Sequence, residues 1–172
     1  MKIWKGRTTN GIFAMELQAS VFSTLDRYCS DAGNVETGGI LIGCYSGNSA
    51  LAVVREATPP PADSKRGHSR FARGVKGLRD LLDKRWRATE RNYYLGEWHF
   101  HPANHVEPSR EDFAQMLKIS RAKEYDCREP LLLILGDGQD QGHRIFRAFV
   151  CPVSCEPLEL VDCEPSVDTA RE

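Results

Sequence analysis

Apolar positions along the chain fall into alternating blocks of helical and extended spacing. Val21, Phe22, Leu25, Tyr28 and Cys29 recur at helical intervals, which predicts an amphipathic helix over 20–32 that Gly33-Asn34 closes. Phe71, Val75, Leu78, Leu82 and Trp86 predict a second helix from roughly 73 to 90. Its other faces carry Arg73, Lys76, Arg79, Lys84, Arg85 and Arg87, read as a solvated surface or as a docking face for an acidic partner. A third helix is expected over 109–123, with Phe113, Met116, Leu117 and Ser120 inward. Extended segments lie between them: 11–16, 35–43, and 51–54 after a turn at Ser46-Gly47-Asn48. Pro59-Pro60-Pro61 and the polar run to Gly67 read as a loop. An aromatic strand leads from Asn92 into 99–101, and Pro130 to Gly136 reads as a fully buried strand. Asp137-Gly138 is expected to turn into a strand over 143–150. These elements form one domain over 1–151, followed by a Pro-rich, acidic tail over 152–172 that can add an edge strand at 158–161 before fraying. The mixture predicts an α/β sandwich, a curved and mostly antiparallel sheet flanked by helices.

Composition narrows the function classes. A formal net charge of -1 argues against a nucleic-acid-binding or membrane-surface protein. The longest aliphatic run, 131–135, is far short of the ~20 residues a membrane span needs. The basic start, Met1 to Arg7, is not followed by an apolar stretch, so a cytoplasmic location is expected. Cys29, Cys44 and Cys127 fall in core segments or at their edges, and Cys151, Cys155 and Cys163 cluster late. No Cys-x-x-Cys pair occurs, which favours reduced thiols over a disulfide framework or a second metal site.

The chemistry concentrates in Glu97-Trp98-His99-Phe100-His101-Pro102 and in Pro108-Ser109-Arg110-Glu111-Asp112. On an extended strand, residues i and i+2 share a face, so His99 and His101 can aim two imidazoles at one point while Trp98 and Phe100 face the core. Asp112 would complete two nitrogens and one carboxylate, a set suited to zinc with a fourth position open for water. Each piece also has a purely structural reading. A His-x-His pair can be ordinary strand composition, and Ser109-x-x-Asp112 is a good helix start with Ser109 as N-cap.

Taken together, His99-x-His101-Pro102, the seven residues between His101 and Ser109, and x-x-Asp112 resemble the signature of the JAB/JAMM (MPN-type) metalloproteases. The family's upstream glutamate is matched by Glu36 before Thr37-Gly38-Gly39, and the resemblance runs from about Phe13 to Val150. Phe100 departs from the serine or threonine usual between the histidines. The resemblance implies a fold like that of cytidine deaminase and zinc held by His99, His101 and Asp112. It further implies Glu36 as general base and acid, and Ser109 as hydrogen-bond donor to the oxyanion. The implied substrate is an amide or isopeptide bond after the Gly-ended tail of a ubiquitin-like protein, in a deconjugation or precursor-processing reaction. A compact copy resembles the bacterial branch found with E1- and E2-like conjugation proteins, often in antiphage systems such as CBASS. A non-catalytic MPN scaffold and a DNA-linked protein resembling RadC remain the other readings. His68, His105 and His143 carry no motif and are left out of the site.

Overall fold

The computed structural model describes residues 3–46, 51–103, 105–140 and 143–163. In chain order it runs β1 (Trp4–Arg7), β2 (Ala14–Leu17), α1 (Ala19–Ala32), β3 (Thr37–Ser46) and β4 (Leu51–Ala57). A small hairpin follows, β5 (Lys65–Arg66) with β6 (Phe71–Ala72), then α2 (Leu78–Arg87), β7 (Tyr93–His101) and α3 (Arg110–Arg121). The chain continues through β8 (Leu131–Asp140), β9 (His143–Val150) and β10 (Leu158–Asp162). The main sheet has the order β1-β10-β9-β8-β7-β3-β4-β2, and β2 pairs back onto β1. Among the described residues only β2–β4 and β7–β8 are parallel, so the mixed sheet is mostly antiparallel, as expected.

The expected sandwich gives way to a closed strand order, and β1 and β10 account for the difference. β10 forms where a tail edge strand was anticipated, but it pairs with β9 on one side and β1 on the other. β1 left no periodic trace, because of its four residues only Gly6 is buried. The turn expected at Asp137-Gly138 is absent, since β8 runs on to Asp140. Of the turn expected at Ser46-Gly47-Asn48, only Ser46 lies within the described residues, where it pairs with Leu51 across the β3–β4 hairpin.

Two apolar clusters occupy the two faces. Leu131, Leu133 and Leu135 of β8 join one, with Trp98, Phe100 and the α1 residues Val21, Leu25 and Cys29. Leu132 and Ile134 join the other, with Met116 and Ile119 of α3 and, at its border, Leu78, Leu81 and Leu82 of α2. Burial on both faces explains the unbroken apolar run of this strand. Each large side chain buried in this way contributes about 1.5–3 kcal/mol.

The second helix is shorter than its periodicity implied. Phe71 belongs to β6, and Val75 lies outside α2 with 64% of its surface exposed. The Asp63 carboxylate accepts the backbone N–H groups of Val75 and Lys76, and the helix begins only after Gly77, whose φ is 81°. Trp86 is also exposed. On α3, Leu117 faces outward and Ile119 takes its place in the core.

Candidate active site

Strand β7 does not alternate simply, and its irregularity aims the histidines. Its pairing with β3 passes from Ile42 opposite Tyr94 to Leu41 opposite Gly96, leaving Leu95 as the extra residue of a β-bulge. Tyr94 lies in the α3 cluster and Leu95 in the α1 cluster, but beyond the bulge Trp98 and Phe100 occupy the α1 cluster. The bulge therefore resets the alternation, so that Glu97, His99 and His101 share the opposite face. Gly96 makes this possible. A Cβ there would come within 2.6 Å of the Leu131 backbone nitrogen on the adjoining strand.

His99 and Asp112 meet directly, with Nδ1 and Oδ1 2.7 Å apart. His101 Nε2 stands 3.8 Å from the other carboxylate oxygen, Oδ2. The two imidazoles and the carboxylate thus converge. In this arrangement His99 is hydrogen-bonded to Asp112, and among the described residues no three His, Cys, Asp or Glu side chains are spread as a coordination shell around a common point. The donor types and their convergence fit zinc, which would require the His99–Asp112 hydrogen bond to open.

Ser109 is the N-cap of α3 and forms a full capping box with Asp112. Its Oγ accepts from the Asp112 N–H at 3.1 Å, while Ser109 N–H and Oγ–H both donate to Oδ2 at 2.7 Å. The structural reading of the Ser-x-x-Asp motif therefore holds, and the cap is what points Asp112 at the histidines.

Glu36 lies one residue before β3, half-buried, and its N–H donates to Gly67 of the β5–β6 hairpin at 2.8 Å. Thr37 pairs with Phe100 and Gly38 with His99, so the ladder leads Glu36 toward His101. Gly38 is required by this closeness. Any side chain there would run into the Trp98 carbonyl and the rings of Phe71 and His99. Phe71 sets its ring edge-on to His99, 5.4 Å between centroids, so the small hairpin walls one side of the site.

The charges around the site are strongly coupled. Burial raises the Glu36 carboxyl, and the Asp112 charge raises it further, against an opposing pull from His99. For Asp112, burial is outweighed by hydrogen bonds from His99 and Ser109, which hold its carboxyl down to about 2. Burial opposes charge on His99, but hydrogen bonds to Asp112 and Glu97 prevail and lift it to about 9. Burial lowers His101, favouring the neutral ring that ligates metals.

The sequence reading placed none of Glu97, Arg73 and Tyr125 in the site. Glu97 is only 1% exposed, with Oε2 3.3 Å from His99 Nε2 and Oε1 accepting from Arg73 Nε at 2.8 Å. Arg73, expected on a solvated helix face, is buried and donates through Nη2 to the Tyr125 hydroxyl at 2.7 Å. Glu97 could have been found by its parity with His99 and His101. His105 is exposed, and His68 binds the Asn34 carbonyl through Nδ1.

The family described as prokaryotic homologs of the JAB domain matches residues 18–151. The chain is 44% identical over 149 residues to a protein named CD-NTase/cGAS isopeptidase from Enterobacter hormaechei subsp. hoffmannii, covering 87% of this chain and 81% of that protein. A protein of the same name from Pseudomonas aeruginosa is 36% identical over 102 residues, covering 59% of this chain and 63% of that one. The solution structure of a protein from Desulfitobacterium hafniense shares the fold, with a TM-score of 0.56 at 20% identity, covering 86% of this chain and 88% of that one.

Proposed function

The chain belongs to the prokaryotic homologs of the JAB domain, and from that premise we propose that it is a zinc-dependent isopeptidase. Its substrate is the amide bond joining the Gly-ended C-terminus of a ubiquitin-like protein to an amine of its target, or to the rest of a precursor. The names of the two relatives support a CD-NTase as one member of the conjugate, and with it a place in antiphage defence of the CBASS type. The observation that carries the reading is the convergence of His99, His101 and Asp112 on the face toward which the β3 ladder leads Glu36.

His99, His101 and Asp112 would hold the zinc ion. When bound, zinc supplies an acidified water and polarises the scissile carbonyl. Glu36, its carboxyl raised by burial and by Asp112, accepts a proton from the attacking water and returns it to the departing amine as the C–N bond breaks. The Ser109 hydroxyl, now on Asp112, is one residue outside the helix and can turn to donate to the developing oxyanion. An extended tail without side chains suits a narrow approach, because its backbone can pair with an exposed strand.

The test is cleavage of a CD-NTase conjugate and of a Gly-tailed ubiquitin-like fusion by metal-replete protein, with and without chelator. Cleavage that stops with chelator and returns with zinc is expected. Zinc-independent cleavage, or none on either substrate, refutes the reading.

A further inference from the structure

A carboxylate buried as deeply as Glu97 needs a reason, because taking its charge out of water is costly unless partners compensate. Packing alone gives none. The residue opposite it on β3 is Ile40, and the surrounding cluster is apolar. Each carboxylate oxygen instead has a polar partner: Oε1 takes the Arg73 Nε–H at 2.8 Å, and Oε2 faces His99 Nε2 at 3.3 Å. Each nitrogen of Arg73 is in turn engaged, with Nη1 on the Gly74 carbonyl at 2.9 Å and Nη2 on Tyr125 at 2.7 Å. Tyr125 is packed edge-on against Tyr94 with centroids 4.9 Å apart. The result is a continuous chain, Tyr125–Arg73–Glu97–His99, that ties the segments after α3 and β6 to one imidazole.

From this geometry we infer that Glu97, held by Arg73 and Tyr125, is the positioning residue that fixes the tautomer and orientation of His99 for the metal. The inference rests on the zinc reading above. A histidine ligand offers one ring nitrogen to the metal and needs the other N–H held by an acceptor. Here Nε2 faces Glu97 and Nδ1 faces Asp112, so a proton kept on Nε2 leaves the Nδ1 lone pair directed at the ligand side. Arg73 gives Glu97 a fixed counter-charge. That keeps the carboxylate beside the ring as an acceptor and away from the metal as a competing ligand. Phe71 limits the swing of the same ring from the other side.

Zinc affinity of the full chain, measured by competition with a chromophoric chelator, tests this without reference to turnover. Wild type should bind zinc and Asp112→Ala should not. Glu97→Gln, which keeps the shape and loses the charge, should bind roughly 10- to 100-fold more weakly, with an unchanged circular dichroism spectrum. Should the stranded Arg73 prevent folding, the double variant Arg73→Met/Glu97→Gln removes both charges and should show the same weakening. Ring nitrogen NMR shifts of His99 in the zinc-loaded wild type should show Nε2 protonated and Nδ1 on the metal. Wild-type affinity in the folded Glu97 variant, or Nε2 on the metal, overturns the inference while leaving the zinc site intact. Failure of wild type to bind zinc instead overturns the parent reading, and this inference with it.

Discussion

Replacing Ser109 by alanine separates two roles that meet in one hydroxyl. The structure assigns it a cap, with Oγ accepting the Asp112 N–H at 3.1 Å and donating to Asp112 Oδ2 at 2.7 Å. Alanine leaves the backbone half of the capping box, Ser109 N–H to Oδ2, in place. The lost cap should cost about 1 kcal/mol. In a chain of this size that lowers the melting temperature by roughly 2–4 °C. With one donor gone, the Asp112 carboxyl should also titrate above its present value of about 2. Neither change alone abolishes turnover. An oxyanion donor, by contrast, is worth roughly 100- to 1,000-fold in kcat. Threonine at this position keeps both a hydroxyl and a competent cap, so Ser109→Thr should largely preserve stability and activity. The assays are thermal melting and steady-state cleavage of a Gly-tailed fusion. A kcat within a few-fold of wild type in Ser109→Ala would confine the residue to its structural role.

Other expectations follow from the same geometry. Glu36→Gln should keep its zinc but lose turnover, and residual activity near wild type in metal-replete protein removes Glu36 as the proton carrier. Gly38→Ala should destabilise the fold and weaken zinc together, because the added methyl meets the Trp98 carbonyl and the His99 ring; a normal melting temperature would contradict that crowding. In chelator-treated protein the bonds of His99 to Asp112 and Glu97 set a pH window. The His99 pKa is raised from 6.5 to about 9 in the folded chain, so its contribution is complete below pH 6.5 and is lost as pH rises through about 9. That loss amounts to roughly 3 kcal/mol, and a urea midpoint that does not fall between those limits contradicts the charged pair.

Where the determinants are local, the sequence was enough to locate them. The His99–His101 pair needs only strand parity, and the Ser109–Asp112 spacing is itself the capping box, so both were legible from a few adjacent residues. Glu36 was suggested only by the resemblance to the family, because its neighbours Val35 and Thr37-Gly38-Gly39 form no motif of their own. Arg73 was misread because its partners, Glu97 and Tyr125, lie 24 and 52 residues away, and its neighbours Phe71 and Val75 imitate helical spacing. The Asp63 side chain that ends that imitation is likewise remote in sequence. β1 was invisible for a different reason: two of its four residues are exposed lysine and arginine, and its place is set by pairing with β2 and β10 rather than by burial.

The arrangement around Asp112 shows how one short motif could serve folding and, on the zinc reading, chemistry together. Oδ2 is occupied by two donors from Ser109 and Oδ1 by His99, so the carboxylate is anchored to the first turn of α3 on one side and to β7 on the other. The Ser109 bonds lie within the helix start and need no cation, whereas the His99 bond occupies the oxygen through which Asp112 would join a metal. On the zinc reading, orientation and ligation would thereby be divided between the two oxygens of one side chain. Asn at position 112 would preserve a neutral cap but remove the ligand charge, whereas Ala removes both. Asp112→Asn should therefore lose zinc while keeping more of the α3 cap than Asp112→Ala does. A comparison of their melting temperatures in chelator measures the helix contribution by itself. Equal melting temperatures would mean that Asp112 stabilises the fold through His99 rather than through the capping box.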